Sequence, residues 1–572
     1  VGQVFRRAVT QGFGRFHRRF RGIGLAAGFV SFGVVSYYSA ILSWGNVMFV
    51  KSFYADLPWD VSEATGKDVI NIPAGHFINE ILKRPSSNTT FVPENISTAL
   101  LAGNIVQWFS IWAILIGGQK IISKAVFFTV LGPVVLLFVL VIQGALLEGA
   151  DVGIKAYIGQ WDLSLLSDGQ MWVDAFGQIF FSLGTGFGVM TAYASLNPRN
   201  SNIIKDALIV SVCNCIFSFF AGFAVFSIVG FFATESGFTL DELNEEGILA
   251  GGSLAFITYP AGLSMLGGLA GNVMSAIFFL VFYFLGIDSA FSLIEAVVLN
   301  FREVSYFAQY SRAQLTTAFC VICFVIGLPY LSDWGSVGVD MVDAYLASLG
   351  LLFVGWLEII VSAWVYKKGD TWEKVGKNAC ICFDACFLLS YVLFGIVSNT
   401  LPLAVDDAGE QVRSKGSVIG ISIGLTLALW VAGCVGAVVL AEGDMPATEA
   451  LYTVALDGPL RLCSVINKTI TNGAPDNWTF GKIYAFNLKF VVTPLLTFLL
   501  LLGVIGYANA GGALMGEPNP AYWERTIQGI GMATVIVLVI LVVVGMIWPE
   551  LYKDPKNREG KKESDKDLEQ ED

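Results

Sequence analysis

The chain has 572 residues, of which 55% are hydrophobic and only 14% are charged, with a formal net charge of −12. Its mean hydropathy is +0.67. A soluble domain carries roughly 25% charged residues, so this chain has too little charge to cover a water-facing surface. The composition therefore excludes a soluble enzyme, a nucleic-acid-binding protein and a disordered chain. With only two histidines, we expect no histidine metal site, no enzyme activity and no organic cofactor.

Apolar windows along the chain predict membrane-spanning helices. A bilayer core of about 30 Å needs about 20 mostly apolar residues per helix. Twelve windows meet this requirement, and none alternates like a barrel strand, so the sequence predicts an all-α, polytopic membrane protein with twelve transmembrane helices. The windows lie near residues 22–50, 96–119, 125–147, 175–198, 207–234, 271–300, 313–332, 342–366, 379–401, 416–441, 487–510 and 527–548.

Lysine and arginine in the loops predict the orientation, because cytoplasmic loops are enriched in both. Residues 1–21 carry six arginines and no acid, which places them in the cytoplasm. Twelve spans return the C-terminus to the same side, where the charged residues 554–572 predict a disordered tail. Loop 51–95 then lies outside, and its two sequons predict glycosylation at Asn88 and Asn95 in the plasma membrane.

Two further sequons, at Asn467 and Asn477, fall in loop 442–484, which the same count places inside. Either these sequons are unused, or one of the spans 379–401 and 416–441 does not cross the membrane. We favour the first interpretation.

Acidic residues inside spans are costly and usually functional. Asp288 and Glu295 lie seven residues apart and share one helical face, and Glu358 and Asp384 lie in later spans. We expect no lysine or arginine inside a span to pair with them. A bound cation, a proton or backbone amides would then compensate each charge. The alternative to a functional role is that each acid is simply protonated or hydrogen-bonded to a neighbouring helix.

The fourth span, WVDAFGQIFFSLGTGFG at 172–188, places Gly184, Gly186 and Gly188 at mid-membrane depth. Each glycine weakens a helix by about 1 kcal/mol relative to alanine. A close GxxxG helix crossing is one interpretation. We favour an unwound segment that faces an ion or a substrate. Gln178 and Ser182, one turn apart just before the break, support it because a helix crossing does not need them.

Together these stretches resemble the neurotransmitter:sodium symporter family, or solute carrier family six. The fourth span is similar to the family's broken sixth helix. Other stretches resemble its third, seventh, eighth, tenth and eleventh helices and its fourth extracellular loop: GIGLAAGFVSFGVVSYYSAILSW at 22–44, DALIVSVCNCIFSFFAG at 206–222, LGIDSAF at 285–291, DAYLAS at 343–348, NLKFVVTPLL at 487–496, and LAFITYPAGLSML at 254–266. The resemblance implies the family's inverted-repeat fold.

The resemblance also implies two sodium sites. The first would take ligands from Ser182 and Asn214, and the second from the Leu285 carbonyl, Asp288 and Ser289.

A chloride site is implied at Gln178, Ser182, Asn214 and Ser218. Chloride-independent relatives place a carboxylate at the position of Ser218. The neutral serine therefore predicts that chloride is needed together with sodium.

The implied substrate site and gates use further residues. Tyr38 and Phe181 would form an outer lid, and the pocket would be lined by Val34, Ser182, Phe187 and Ser289. Asp343 matches the acidic half of the outer gate and Glu303 that of the inner gate.

The chain departs from the family in three places. It opens at VGQVF, which resembles the end of helix two, so helices one and two are expected to be missing. Residues 367–478 form an insertion with two extra spans and a hydrophilic loop between a symporter core at 1–366 and the last two family helices at 479–553. Loop 51–95 has no cysteine, so the family disulfide is absent there.

The expected function is a secondary active symporter that couples sodium and chloride to uptake of an amino acid or related amine. The alternative is a truncated or non-transporting family member that acts as a membrane scaffold. An ion channel is a third and weaker interpretation, because the sequence shows no repeated pore loop and no ring of charges.

Overall fold

A computed structural model describes residues 1–84, 95–167, 169–400, 415–509 and 525–554. Within these ranges the chain is helical, with one isolated bridge between Ile96 and Ser332 and no β-strand, which confirms the all-α prediction. The main helices are α1 Arg21–Lys51, α2 Thr98–Ile116, α3 Gln119–Ala145, α4 Gly169–Ser182, α5 Val189–Ala194, α6 Ile203–Ser236, α7 Gly268–Arg302, α8 Arg312–Gly327, α9 Gly335–Val342, α10 Leu351–Ile360, α11 Lys377–Thr400, α12 Lys415–Val439, α13 Ala447–Thr471, α14 Lys482–Asn487, α15 Thr493–Asn509 and α16 Arg525–Ile547.

Several elements connect or extend these helices. The π-helical stretch Asp343–Gly350 joins α9 to α10, and a second one, Leu488–Val492, joins α14 to α15. A third, Val361–Val365, follows α10. Shorter helices are Gly2–Phe5, Val9–Gly14, Asp68–Gly75, Ala150–Ile154, Leu240–Glu245, Gly251–Ser253, Tyr259–Ser264 and Lys368–Val375.

The described residues contain eleven helices that are long and apolar enough to cross a membrane. Eleven of the twelve predicted windows correspond to these continuous helices. The fourth window, 175–198, instead contains α4 and α5, which are separated by residues 183–188. The chain is therefore a multi-pass membrane protein, and its fourth predicted span is an interrupted helix.

Two helical segments form the centre of the molecule. In α1 and in the segment Gly335–Val375, 72% of the most apolar window is buried, against 17–44% in the other candidate spans. Helix α1 packs against α2, α7 and α16. Its crossing with α16 is close, because a Cβ atom at Gly545 would lie 2.7 Å from the Cα of Gly22.

The predicted insertion is built of α11, α12 and α13. Two helices long enough to cross a membrane, α11 and α12, lie in this region and pack along each other, and α11 also packs on α15. Helix α13 is not among the candidate spans and packs against Lys368–Val375 and α14. The two asparagines of the sequons in this region donate hydrogen bonds to backbone carbonyls. Asn467 Nδ2, on α13, donates to the Phe480 carbonyl at 2.9 Å, and Asn477 Nδ2, beyond the end of α13, donates to the Asn200 carbonyl at 2.7 Å.

Two predictions at the surface have different outcomes. Asn95 is exposed, and Asn88 lies outside the described residues. The predicted disordered tail does not begin at Asp554, which is only 7% exposed and forms an ion pair with Arg7 at 3.0 Å. Residues 555–572 lie outside the described residues.

Candidate functional site

The break between α4 and α5 is a local consequence of three glycines. Gly184, Gly186 and Gly188 have φ of 67°, 79° and 77°, in the left-handed region that residues with a Cβ rarely adopt. The helix cannot continue through these angles, and its last turn closes with Gly184 N donating to the Phe181 carbonyl at 2.9 Å. The predicted unwound segment is therefore confirmed.

Side chains bind the carbonyls that the break frees. Ser31 Oγ on α1 donates to the Phe187 carbonyl at 2.7 Å, and Thr185 Oγ1 donates to the Phe180 carbonyl at 2.7 Å. On the far side of the break, Tyr193 on α5 donates to Ser292 on α7 at 3.1 Å. The segment is thus held against α1, and the following half-helix against α7.

Ser182 and Asn214, predicted for the first sodium site, are in direct contact. Ser182 Oγ lies 3.0 Å from Asn214 Oδ1 and joins the end of α4 to α6. The Asn214 Nδ2 amide is buried and has no hydrogen-bond partner among the described residues. The other two predicted chloride residues, Gln178 and Ser218, are exposed.

Asp288, predicted for the second sodium site, lies on α7 and accepts a hydrogen bond from one side chain. Thr129 Oγ1 on α3 donates to Asp288 Oδ1 at 2.9 Å. No lysine, arginine or histidine forms an ion pair with this carboxylate in the described part of the chain. Its neighbour Ser289 donates to the Leu285 carbonyl at 3.3 Å. Sequence reasoning missed Thr129, although a hydroxyl in the apolar third window was a signal for it.

The prediction that no lysine or arginine inside a span pairs with these acids is wrong for two of the four acids, whose basic partners belong to candidate spans. Arg312, at the start of α8, binds Glu295 at 2.6 Å. Lys368 lies 2.6 Å and Lys489 3.7 Å from Asp384. The basic residues lie at helix ends or in another span, so only the tertiary packing brings them to the acids.

The fourth acid, Glu358 on α10, has a different environment. Its Oε1 is buried without a hydrogen-bond partner among the described residues. It lines a cavity of about 490 Å³ beside Thr185 and Gly186 of the break.

The residues predicted to line the substrate site lie around α1 and the break. The rings of Phe181 and Phe187 pack edge to face, 5.7 Å between centroids. Val34 and Phe187 are buried in the same hydrophobic cluster, against which Tyr38 packs. The Tyr38 hydroxyl lies beside the side chain of Ser289, where α1 meets α7.

Asp343, the predicted acid of the outer gate, contacts the other tyrosine of the pair. The Tyr37 hydroxyl donates to Asp343 Oδ1 at 2.5 Å. The Tyr37 ring also packs edge to face on Tyr330, 6.4 Å between centroids. Adjacent tyrosines on one helix point to different sides, so Tyr37 binds Asp343 while Tyr38 lies beside Ser289.

Glu303, the predicted acid of the inner gate, caps a short helix. Its carboxylate accepts hydrogen bonds from the backbone N–H groups of Ala8 (2.8 Å) and Gln11 (3.1 Å). Burial raises the pKa of Glu303 to about 7, although these hydrogen bonds and Arg7 lower it. The acid therefore ties the end of α7 to the N-terminal segment of the chain.

Comparison with known proteins identifies the family. The model of the sodium:neurotransmitter symporter family matches residues 1–405, which is more than half of the chain. The chain belongs to this family. Among its relatives, the sodium- and chloride-dependent creatine transporter 1 of Bos taurus is 34% identical over 416 residues, covering 66% of this chain and 64% of that protein. The chain thus spans less than two thirds of the length of this symporter.

Two other symporters show the range of relatives. The sodium- and chloride-dependent neutral and basic amino acid transporter B(0+) of Mus musculus is 32% identical over 394 residues, or 61% of this chain and 60% of that protein. The sodium- and chloride-dependent taurine transporter of Rattus norvegicus is 28% identical over 511 residues, or 81% of this chain and 76% of that protein. These matches support sodium-coupled symport as the property that the relatives share, with different substrates.

Proposed function

We propose that the protein is a sodium- and chloride-coupled secondary active symporter that takes up an amino acid or a related amine. The observation that carries this proposal is the carboxylate of Asp288. It lies inside a candidate span and binds one hydroxyl, and the described residues offer it no cationic partner, whereas Glu295 and Asp384 are both paired. An ionised carboxylate at this depth needs a compensating charge, which a bound sodium ion would supply.

The donor set around Asp288 suits a hard cation. Carboxylate, hydroxyl and carbonyl oxygens are the ligands that such ions prefer. Asp288, Ser289 and the Leu285 carbonyl provide one of each within five residues of α7. In this proposal they hold the second sodium ion, and the first is held at Ser182 and Asn214.

The orphaned amide of Asn214 supports chloride as the second co-ion. A buried N–H group without a partner costs about 1–3 kcal/mol. Its hydrogens would donate to an anion, together with the hydroxyl of Ser182 and the side chains of Gln178 and Ser218. Because Ser218 is neutral, the anion has to come from solution rather than from the chain.

Alternating access would use the interrupted helix. Helix α4 ends at Ser182 and α5 begins at Val189, so the two halves can tilt separately about the glycines between them. Phe181 and Tyr38 would close the substrate from outside, with Asp343 above them. Glu303 would act at the inner end, where it holds Ala8 and Gln11.

The proposed setting is the plasma membrane, with both termini in the cytoplasm and loop 51–95 outside, where Asn88 and Asn95 would carry glycans. The substrate class follows from the relatives, whose names specify creatine, amino acids and taurine. The exact substrate differs among them, so we propose the class only.

Uptake by cells that express the protein tests the proposal. A panel of radiolabelled amino acids, creatine and taurine is supplied in sodium medium and in choline medium. We expect sodium-dependent accumulation of at least one compound, lost in Asp288→Asn and in Asn214→Ala. Accumulation that is indifferent to sodium would contradict symport. A surface-expressed protein that accumulates nothing would favour the scaffold alternative, and steady currents without substrate would favour a channel.

The chloride requirement has its own test. Ser218→Glu supplies a fixed negative charge, so we expect uptake to continue when chloride is replaced by gluconate. Ser211→Glu, two turns earlier on α6, is the matched control and should leave the requirement unchanged. Strict chloride dependence in Ser218→Glu would argue against an anion at this position.

A further inference from the structure

An apolar groove of about 420 Å³ lies where three helices of the insertion region meet the start of the following span. Its walls come from α11, α12, α13 and the segment Lys482–Val492. Three of these elements belong to candidate membrane spans, and α13 does not. The groove therefore lies where membrane-spanning helices meet one that is not a candidate span.

Stacked aromatic rings form the inner wall of the groove. The Phe387 ring lies 4.3 Å from that of Phe383, 5.4 Å from that of Trp430 and 5.6 Å from that of Phe490, between centroids. Phe383 and Phe387 are buried. This continuous ring surface comes from three different helices, so it is shaped by tertiary packing before any ligand arrives.

An ion pair between Lys489 and Asp384 lies behind the aromatic wall of the groove and holds its rings in place. Lys489, only 2% exposed, lies over the rings of Trp364 (4.4 Å) and Phe383 (5.4 Å) and 3.7 Å from Asp384. Its Nζ also donates to the Val454 carbonyl of α13 at 3.2 Å. The charge of this lysine is thus matched inside the protein, and the face of the groove stays apolar.

The rim of the groove is open and carries a positive charge. Tyr452 is 44% and Phe486 49% exposed. Lys482 Nζ lies over the Tyr452 ring, 5.7 Å from its centroid, and forms no ion pair with a carboxylate in the described ranges. The groove therefore combines an apolar interior with a cation at its edge.

Lysine and phenylalanines follow one another along a single helical face. Lys482, Phe486 and Phe490 are spaced by four residues, so the line from the cation into the groove runs about 12 Å along the helix axis. An anionic headgroup beside an extended hydrocarbon chain has the same arrangement of charge and apolar length.

We propose that this groove binds one acyl chain of an anionic phospholipid, whose headgroup contacts Lys482. The hydrocarbon chain lies against Phe387, Trp430 and Phe490. The binding uses the insertion region and the start of the following span, and not the ion residues on α4, α6 and α7, so it is independent of the proposed transport function. A zwitterionic lipid offers the same chain but no net negative charge to the lysine.

Photo-crosslinking in nanodiscs tests the site. The full chain is reconstituted with phosphatidylglycerol, or with phosphatidylcholine, that carries a diazirine in the same acyl chain, and labelled peptides are identified by mass spectrometry. We expect phosphatidylglycerol to label peptides of α11, α12 and α14 about fivefold more than phosphatidylcholine, the preference that one lysine at an anionic headgroup provides.

Two pairs of variants separate the groove from the rest of the lipid-facing surface. Ala455→Phe fills the groove and should remove this labelling, while Ala428→Phe on the exposed side of α12 should not. Lys482→Gln should make labelling by the two lipids equal. Lys377→Gln, at a different lysine that lies over the Trp372 ring, should keep the preference.

Three results would overturn the proposal. The first is equal labelling by both lipids in the unchanged protein. The second is labelling of the groove that survives Ala455→Phe in a protein of normal helicity. The third is crosslinking of the groove to a second copy of the chain in place of lipid.

Discussion

Asp288 and Glu295 share one face of α7, yet their surroundings differ. Glu295 is 2% exposed and binds Arg312 from the next helix, whereas Asp288 accepts one hydrogen bond from Thr129. Spacing along one helix predicted that the two acids are neighbours on one face. It could not predict which of them has a cation, because Arg312 reaches Glu295 only through the packing of α8 against α7.

The same limit applies to the paired tyrosines. The rule that adjacent residues point apart predicted that one tyrosine at most faces the proposed cavity. Which of them meets Asp343 depends on where the segment Asp343–Gly350 lies relative to α1, and the structure shows that it is Tyr37. Ser182 and Asn214, in contrast, were predicted together from the resemblance, and they are in contact.

Glu303 predicts a pH-dependent stability. Its native pKa of about 7 lies above the value of 4.5 for an unperturbed carboxyl group, so the folded protein binds this proton more tightly than the unfolded one. The stability that this proton contributes is complete below pH 4.5 and is lost as the pH rises through 7. The charged groups that face it are Arg7 and Asp554.

Thermal unfolding between pH 6 and 8 measures this effect. We expect the melting temperature of the unchanged protein to fall across this range and that of Glu303→Gln to fall less. Glu550→Gln, at an exposed acid, should keep the original slope. Equal slopes in all three proteins would show that Glu303 does not titrate in this range.

At the scale of the element, the interrupted helix was the feature best predicted from sequence. Positive φ is a property of single residues, and three glycines at alternate positions are a local signal of a break. The closest interactions of this segment were not predictable. Ser31 of α1 holds one side of the segment, and Ser292 of α7 holds the other. Ser31 is 156 residues away in the sequence from Phe187, whose carbonyl it binds.

Two glycines of the break differ in what surrounds them. A Cβ at Gly184 would meet nothing within 4 Å, so Gly184→Ala is strained by its φ of 67° alone and should cost about 1–2 kcal/mol. A Cβ at Gly188 would lie 2.9 Å from Val9 Cγ2 as well. We expect Gly188→Ala to lower the free energy of unfolding more than Gly184→Ala, and the reverse order would contradict this description of the break.

The insertion is connected to the core by the buried pair of Asp384 and Lys489. Asp384→Leu leaves Lys489 buried without its carboxylate, and such a change typically costs about 3–5 kcal/mol. Lys368, the second partner of this carboxylate, also loses it, so removing the stranded charges requires both Lys489→Met and Lys368→Met. The triple variant should recover most of the loss in a denaturant titration.

An exposed pair provides the control for this experiment. Asp151 and Lys155 are 65% and 69% exposed, so Asp151→Ala should change the free energy of unfolding by less than about 1 kcal/mol. A triple variant that stays as unstable as Asp384→Leu would show that the loss comes from packing and not from the charges.

At the scale of the whole molecule, composition predicted the class of protein and apolar windows predicted the spans. Both signals are local, because each membrane helix satisfies its own backbone hydrogen bonds. The windows did not predict that α1 and the Gly335–Val375 segment are the central helices, nor that α13 packs on Lys368–Val375. Burial depth and docking depend on contacts between helices, whereas the candidate spans among the described residues all have a similar, strongly apolar composition.

The central claim is that Asp288 and Asn214 bind sodium, and its most direct test does not require a known substrate. The melting temperature of the purified protein is measured as sodium replaces choline at constant ionic strength. A ligand that binds only the folded state raises this temperature with concentration. We predict a rise in sodium that is absent in the Asp288→Asn, Asn214→Ala double variant. An unchanged protein that melts at the same temperature in sodium and in choline would contradict the claim.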